Sequence, residues 1–199
     1  MIKIIDYKVG NINSISNMLK KIQTEVEIID DVKKIKKNDK IILPGVGSYD
    51  NCILKLKKQN FFDFLKFETE NLNLKILGIC LGMQILCESS EEGFEDGLGF
   101  FSSRCEAFKN LNKVNTVVGW SKIYSENYEN NKNVLPQDAR FYFLHSYYVP
   151  HNSNTISYAQ NFDKKYSAVI KKKNIIGCQF HPERSHSYGM EFLKKFSDF

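Results

Sequence analysis

The stretch Lys75-Ile-Leu-Gly-Ile-Cys80-Leu-Gly-Met-Gln84 constrains the fold more than any other. An apolar run that reads as a buried strand enters Gly78-x-Cys80-x-Gly82, and a helix is predicted over residues 81–88. A nucleophile seated on a sharp strand-to-helix turn has this form, because glycines two before and two after it remove side chains that would clash. The turn would hold a strained backbone and project the sulfur from the carboxyl edge of a sheet. A helix N-terminus beneath it would favour the thiolate, and the Leu81 N–H would be placed to hold an oxyanion. The same residues also fit a buried structural cysteine in a glycine-rich junction.

An elbow of this kind needs a sheet around it. The first half of the chain alternates apolar strand-like runs (2–6, 26–29, 40–43, 75–79) with helical patterns (about 15–22, 50–58, 61–70). Asn13 or Ser14 is a candidate cap for the first helix. Such alternation implies a parallel sheet covered on both faces. The second half is richer in β-branched and aromatic residues, with strands expected at 114–118, 120–124, 141–149, 155–160, 166–170 and 175–180. Lys171-Lys-Lys-Asn174 separates the last two as a hairpin, and residues 187–196 read as a closing helix with Met190, Leu193 and Phe196 on one stripe. The expectation is a single mixed α/β domain over 1–199: a largely parallel central sheet flanked by helices, with an antiparallel C-terminal portion.

With 42% hydrophobic and 26% charged residues in 199, the composition is that of a globular chain. No apolar run reaches the roughly 18 residues of a membrane span, and Met1-Ile-Lys-Ile-Ile-Asp6 lacks the pattern of a signal peptide. A cytoplasmic protein is expected. The net charge of +5 comes from short, scattered lysine clusters, so a solvated surface is expected rather than a nucleic-acid face. The five cysteines are odd in number and form no CxxC pair, which argues against a disulfide framework.

A thiolate needs a base. The run at 175–180 ends in His181-Pro182-Glu183. Residues i and i+2 of an extended segment point the same way, so Glu183 can accept the second ring N–H of His181 and orient it. Cys80, His181 and Glu183 then make a nucleophile, a base and an orienter. A core histidine at a strand end is the competing reading. Cys178, His181, Glu183 and His186 match no standard zinc spacing, and no metal or cofactor is expected. Residues 41–43 run into Pro44-Gly45-Val46-Gly47, whose glycines let the backbone approach a ligand and could supply a second oxyanion donor.

Pro44-Gly-Val-Gly47, Gly78-Ile-Cys-Leu-Gly-Met-Gln84, Ser89-Ser-Glu-Glu-Gly93, His145-Ser-Tyr-Tyr148 and Gln179-Phe-His-Pro-Glu183 occur in this order. Together they resemble the triad glutamine amidotransferases. Within that family the chain is most similar to the glutaminase subunits of imidazole glycerol phosphate synthases, helped by Asp6-Tyr-Lys-Val-Gly-Asn11 and Phe141-Tyr-Phe143. The resemblance runs from about residue 2 to 197. It implies that glutamine binds at Cys80 with Gln84, His145, Ser146 and Tyr147 holding it, and that Gly45, Val46, Gly47 and Leu81 stabilise the oxyanion. Cys80 would form a γ-glutamyl thioester and His181 would protonate departing ammonia. The ammonia would pass to a (β/α)₈-barrel cyclase subunit of histidine biosynthesis, docked near Asn11, Trp120 and Arg184.

Two stretches depart from the family pattern. Lys8 stands where the family usually has glycine, and Thr116-Val-Val-Gly-Trp-Ser121 stands where Pro-His-Met precedes Gly-Trp and Asn follows it. The segment Ser185-His-Ser-Tyr-Gly-Met190 also resembles paralogs that supply ammonia for surface amino-sugars. Three further readings are open: that paralogous pathway, a regulatory subunit without catalysis, and a cysteine hydrolase on a similar scaffold.

Overall fold

The computed structural model of the chain describes residues 1–8, 10–110 and 113–199; Val9 of the Asp6–Asn11 motif lies outside them. The first half consists of β1 (Ile2–Ile5), α1 (Ile12–Lys21), β2 (Val26–Ile29), β3 (Lys40–Leu43), α2 (Tyr49–Lys58), α3 (Phe61–Asn71), β4 (Lys75–Ile79) and the single turn α4 (Leu81–Gln84). There follow β5 (Cys87–Ser90), β6 (Phe101–Ala107), β7 (Lys109–Asn110), β8 (Lys113–Val114), β9 (Val117–Lys122), β10 (Tyr124–Ser125), α5 (Tyr128–Asn131), β11 (Arg140–His145) and β12 (Tyr147–Tyr148). The chain ends with β13 (Thr155–Asn161), β14 (Lys164–Lys172), β15 (Ile175–Cys178) and α6 (His186–Asp198).

The main sheet has eight strands in the order β10-β13-β14-β15-β4-β3-β1-β2. From β15 to β2 the pairing is parallel, and β14, β13 and β10 join it antiparallel. Period-two alternation divides its apolar residues between two cores. Ile2, Ile4, Ile42, Leu77 and Ile79 face α1 and α6, whereas Ile5, Ile41, Leu43 and Ile76 face α2 and α3. Both faces are covered, which is why these strands read as continuous apolar runs. The mixed, largely parallel sheet is the one expected. The carboxyl ends of β1, β3, β4 and β15 put residues 6–8, 10, 11, 44–48, 80 and 179–181 at one edge, where open α/β sheets bind ligands.

Several local expectations are corrected. The helix at 81–88 stops at Gln84. Ile85, Leu86 and Cys87 are all buried, and the N–H groups of Leu98, Phe100 and Gly99 take their carbonyls. Tertiary pairing thus captures acceptors that a helix would have used. The run at 114–118 breaks after Val114; Val117 and Val118 begin β9, in register with β11 from His145 back to Arg140. The N-cap of α1 is Asn11, not Asn13 or Ser14. Its side chain makes no cap bond to the backbone and accepts instead from the Ser14 hydroxyl at 2.8 Å. On α6 the buried residues are Gly189, Phe192, Leu193 and Phe196, with Met190 half-buried. The hairpin between β14 and β15 is as expected, with Lys173 in the left-handed region.

Lys8 has φ +62°. That conformation suits glycine and explains why glycine fits this position well. Its ammonium pairs with Asp6 at 2.7 Å, and its carbonyl accepts from Lys55.

Candidate active site

Cys80 has φ +53° and ψ −109°, a strained conformation for a residue with a side chain. Three contacts hold it. Its N–H donates to the Cys178 carbonyl at 2.7 Å, and its carbonyl accepts from the N–H groups of Met83 and Gln84. The flanking glycines are sterically required. A Cβ on Gly78 would lie 2.3 Å from the Gly82 oxygen, and one on Gly82 would lie 2.0 Å from the Leu43 oxygen. Gly45 closes the packing from the β3 side, since a Cβ there would lie 2.3 Å from the Gly82 nitrogen. Gly82→Ala must therefore push α4 away from β3. We expect a loss of about 2–3 kcal/mol in chemical unfolding together with loss of Cys80 reactivity.

Cys80 opens onto a cavity of about 290 Å³ lined by Val46, Gly47, Leu81, Gln84, Glu92, Thr116, Leu144, His145, Ser146, Tyr147 and His181. The site residues expected from the sequence are thus brought together from four chain segments. As the first residue of α4, Leu81 has an N–H with no partner inside its helix. Gly47, at φ +114°, sets the direction of the loop after β3. Because α4 is one turn long, its dipole is that of a single turn and not of the longer helix expected.

His181 Nδ1 donates to Glu183 Oε1 at 2.9 Å, and both side chains are buried. The geometry differs from the extended pair expected, because Pro182–Arg184 forms a 3₁₀ turn. The turn is anchored by the His181 N–H to the Tyr142 carbonyl and by the Ser185 hydroxyl to the His181 carbonyl. Burial alone would lower the His181 pKa, but the Cys80 sulfur and the Glu183 carboxylate outweigh it and hold the imidazole up at about 10. His181 Nε2 and Glu183 Oε2 are buried with no hydrogen-bond partner. His145 is different: burial pushes it down to about 4, so it is neutral, and its Nδ1 lies 2.8 Å from the Tyr147 carbonyl.

The sequence reading missed two site residues. Gln179 is fully buried with its Nε2 3.6 Å from Cys80 Sγ. It was legible only as part of a motif, since nothing in a lone glutamine beside a strand end marks it. Glu92 brings a carboxylate to the cavity, and burial raises its pKa. Its turn is clasped by Asp50, which accepts from the Phe94 and Glu95 N–H groups. Thr116 and Ser146 share a hydrogen bond of 2.7 Å at the cavity wall. Among the described residues, no group of three or more His, Cys, Asp or Glu could hold a metal, and no helix is long and apolar enough to cross a membrane.

Of the residues expected at a docking face, Trp120 and Arg184 both contact Tyr142, and Asn11 lines a cavity next to that of Cys80. Trp120 is exposed, stacks on His186 with rings 5.5 Å apart, and meets Tyr142 edge-on. Arg184 lies over Tyr142. Asn11 lines a neighbouring cavity with Lys8, Asp6 and Val46, and Val46 borders both cavities.

The model of the family "Glutamine amidotransferase class-I" matches residues 3–198. The chain is 40% identical over 198 residues to "Imidazole glycerol phosphate synthase subunit HisH 2" of Methanococcus maripaludis, covering 98% of each. It is 36% identical over 203 residues to "Imidazole glycerol phosphate synthase subunit HisH" of Bdellovibrio bacteriovorus, covering 100% of each. Among solved structures, "Structure of PurLQS from Thermotoga maritima" matches with a TM-score of 0.72 at 17% identity, covering 99% of this chain and 97% of that one. That structural likeness speaks for the fold, and the full-length sequence matches speak for the lineage: the chain belongs to the class-I glutamine amidotransferase family.

Proposed function

We propose that this chain is the glutaminase subunit of an imidazole glycerol phosphate synthase. The observation that carries the reading is the elbow cysteine in one cavity with a histidine held by a buried carboxylate. Cys80 attacks the carboxamide carbon of glutamine, and the oxyanion is held by the Leu81 N–H with the Gly45–Val46–Gly47 loop. The C–N bond breaks, His181 protonates the departing ammonia, and a γ-glutamyl thioester remains on Cys80. Water, deprotonated by His181, then releases glutamate and restores the thiol. Gln84, His145, Ser146 and Tyr147 hold the substrate, and the Glu92 carboxylate suits its α-ammonium group. No cofactor is needed.

The relatives are named as subunits of a synthase, and the surface beside the cavity supports a docked partner. Leu144 lines the cavity, is exposed, and pairs across the two-stranded sheet with exposed Val118; Trp120 pairs with Tyr142 next to them. Apolar residues gathered at a mouth mark an interaction surface. The partner is a (β/α)₈-barrel cyclase that receives the ammonia, in the cytoplasm, with Asn11, Trp120 and Arg184 at the contact. Lys8, Thr116 and Val118 lie on this side of the molecule and leave Cys80, His181 and Glu183 untouched.

The test is glutamate release by this chain mixed with the histidine-pathway cyclase of its own organism, with and without the cyclase's nucleotide ligand. A large ligand-dependent stimulation is expected. A chain that still forms a thioester but is not stimulated would move the assignment to a paralogous barrel and an amino-sugar acceptor.

A further inference from the structure

We propose that Gln179 holds the Cys80 sulfur as the last member of a buried amide relay anchored on the Tyr147 carbonyl, and that this relay favours the thiolate. The inference rests on Cys80 being the nucleophile. Gln84 Nε2 donates to the Tyr147 carbonyl at 2.8 Å and to Gln179 Oε1 at 3.2 Å, and Gln179 Nε2 donates to Cys80 Sγ at 3.6 Å. Gln84 is 3% and Gln179 0% exposed.

Chemistry fixes the polarity of the relay. A backbone carbonyl can only accept, so Gln84 must present its NH₂ to Tyr147. That same NH₂ meets Gln179, which must therefore present its oxygen there and its NH₂ to the sulfur. The Tyr147 carbonyl also lies 2.8 Å from His145 Nδ1. Since His145 is neutral, the proton must sit on Nδ1, and the anchor is gripped by two donors. The sulfur is thus offered a donor whose orientation is set about three residues away through buried groups that have no room to turn.

The arrangement distinguishes the two states of Cys80. As a thiol it donates to the Leu144 carbonyl at 3.7 Å. As a thiolate it can only accept, and Gln179 is the amide in place to donate. The titratable groups around the sulfur are His181 with Glu183 behind it, Tyr7 and Cys178, with His145, Tyr147 and Glu92 on the same cavity; burial keeps Tyr7 and Cys178 protonated and His145 neutral. With α4 only one turn long, this side-chain donor carries weight that a longer helix would otherwise share.

The experiment follows alkylation of Cys80 by iodoacetamide against pH in the full-length chain, read at the Cys80 peptide by mass spectrometry. Cys80 is 6% exposed, whereas the other four cysteines are 0% exposed. Gln179→Met is expected to move the midpoint up by about one pH unit, so that alkylation at a fixed pH below it slows about tenfold. Gln179→Glu keeps the shape but faces the thiolate with a carboxylate, and should move the midpoint further; it decides the matter if Gln179→Met does not fold. In both, kcat should fall with the thiolate fraction while KM stays within about twofold. An unchanged midpoint in a folded variant overturns the proposal, because a merely structural glutamine would not alter sulfur ionisation. The alkylation readout does not depend on turnover. If Cys80→Ser retained glutamate release, the nucleophile assignment would fall, whatever the midpoint did.

Discussion

Cys80→Ser is expected to reduce glutamate release from glutamine on the order of 10⁴-fold or more. The elbow that makes the sulfur reactive gives no comparable help to a hydroxyl. A serine at this site would need to lose its proton at a far higher pH, and Gln179 and His181 are placed to serve a large, polarisable sulfur. The substitution is nearly isosteric and leaves the glycine contacts at Gly78 and Gly82 in place. The unfolding temperature should therefore stay within about 2–4 °C of the parent. Steady-state glutamate release and thermal unfolding, measured on the same sample, separate loss of the nucleophile from loss of the fold. Release within tenfold of the parent would mean that another group attacks.

Glu183→Gln is expected to cost about 10³- to 10⁴-fold in kcat, the range that an orienting carboxylate contributes in nucleophile–base–acid sets. The amide can still take the hydrogen bond from His181 Nδ1, so the ring stays in place. What is lost is the charge that, with Cys80, keeps the imidazole protonated up to about pH 10. The His181 pKa falls toward its ordinary value near 6.5, so the imidazole is neutral over much of the range in which the parent keeps it charged. The effect on stability has a defined sign. A histidine whose folded pKa is raised adds stability in full below about pH 6.5, and this is lost as pH rises through about 10. The parent should thus lose stability between those limits, whereas Glu183→Gln should be flatter. Urea unfolding at a series of pH values checks the slope, and initial rates check the activity. A Glu183→Gln variant with parental kcat would show that the buried pair is only structural.

Much of this arrangement can be read from local pattern. The parallel half is legible because strands buried on both faces are continuous apolar runs, as Ile41-Ile-Leu43 and Ile76-Leu77 are. The elbow is legible because sterics leave glycine alone at positions 78 and 82. The end of α4 is not, since Ile85, Leu86 and Cys87 lose their helix only when residues 98–101 come to meet them. Glu183 was reached by the right pairing through the wrong geometry: a proline-led turn, rather than an extended strand, brings the carboxylate to the ring. Gln179 escaped residue-level reasoning because its importance lies in a contact with Cys80 across 99 positions. Glu92 escaped for a similar reason. Its turn is held by Asp50 from another segment, and acidic residues in a loop otherwise read as solvated.

The central claim is that Cys80 attacks glutamine and carries its acyl group. The direct measurement is an acid quench of the chain turning over glutamine with its cyclase, followed by mass spectrometry of the Cys80 peptide. A γ-glutamyl thioester on Cys80, absent in Cys80→Ser and more abundant when release of glutamate is slowed, is the result this account predicts. Steady glutamate production with no acyl group on Cys80 under any quench condition would contradict it.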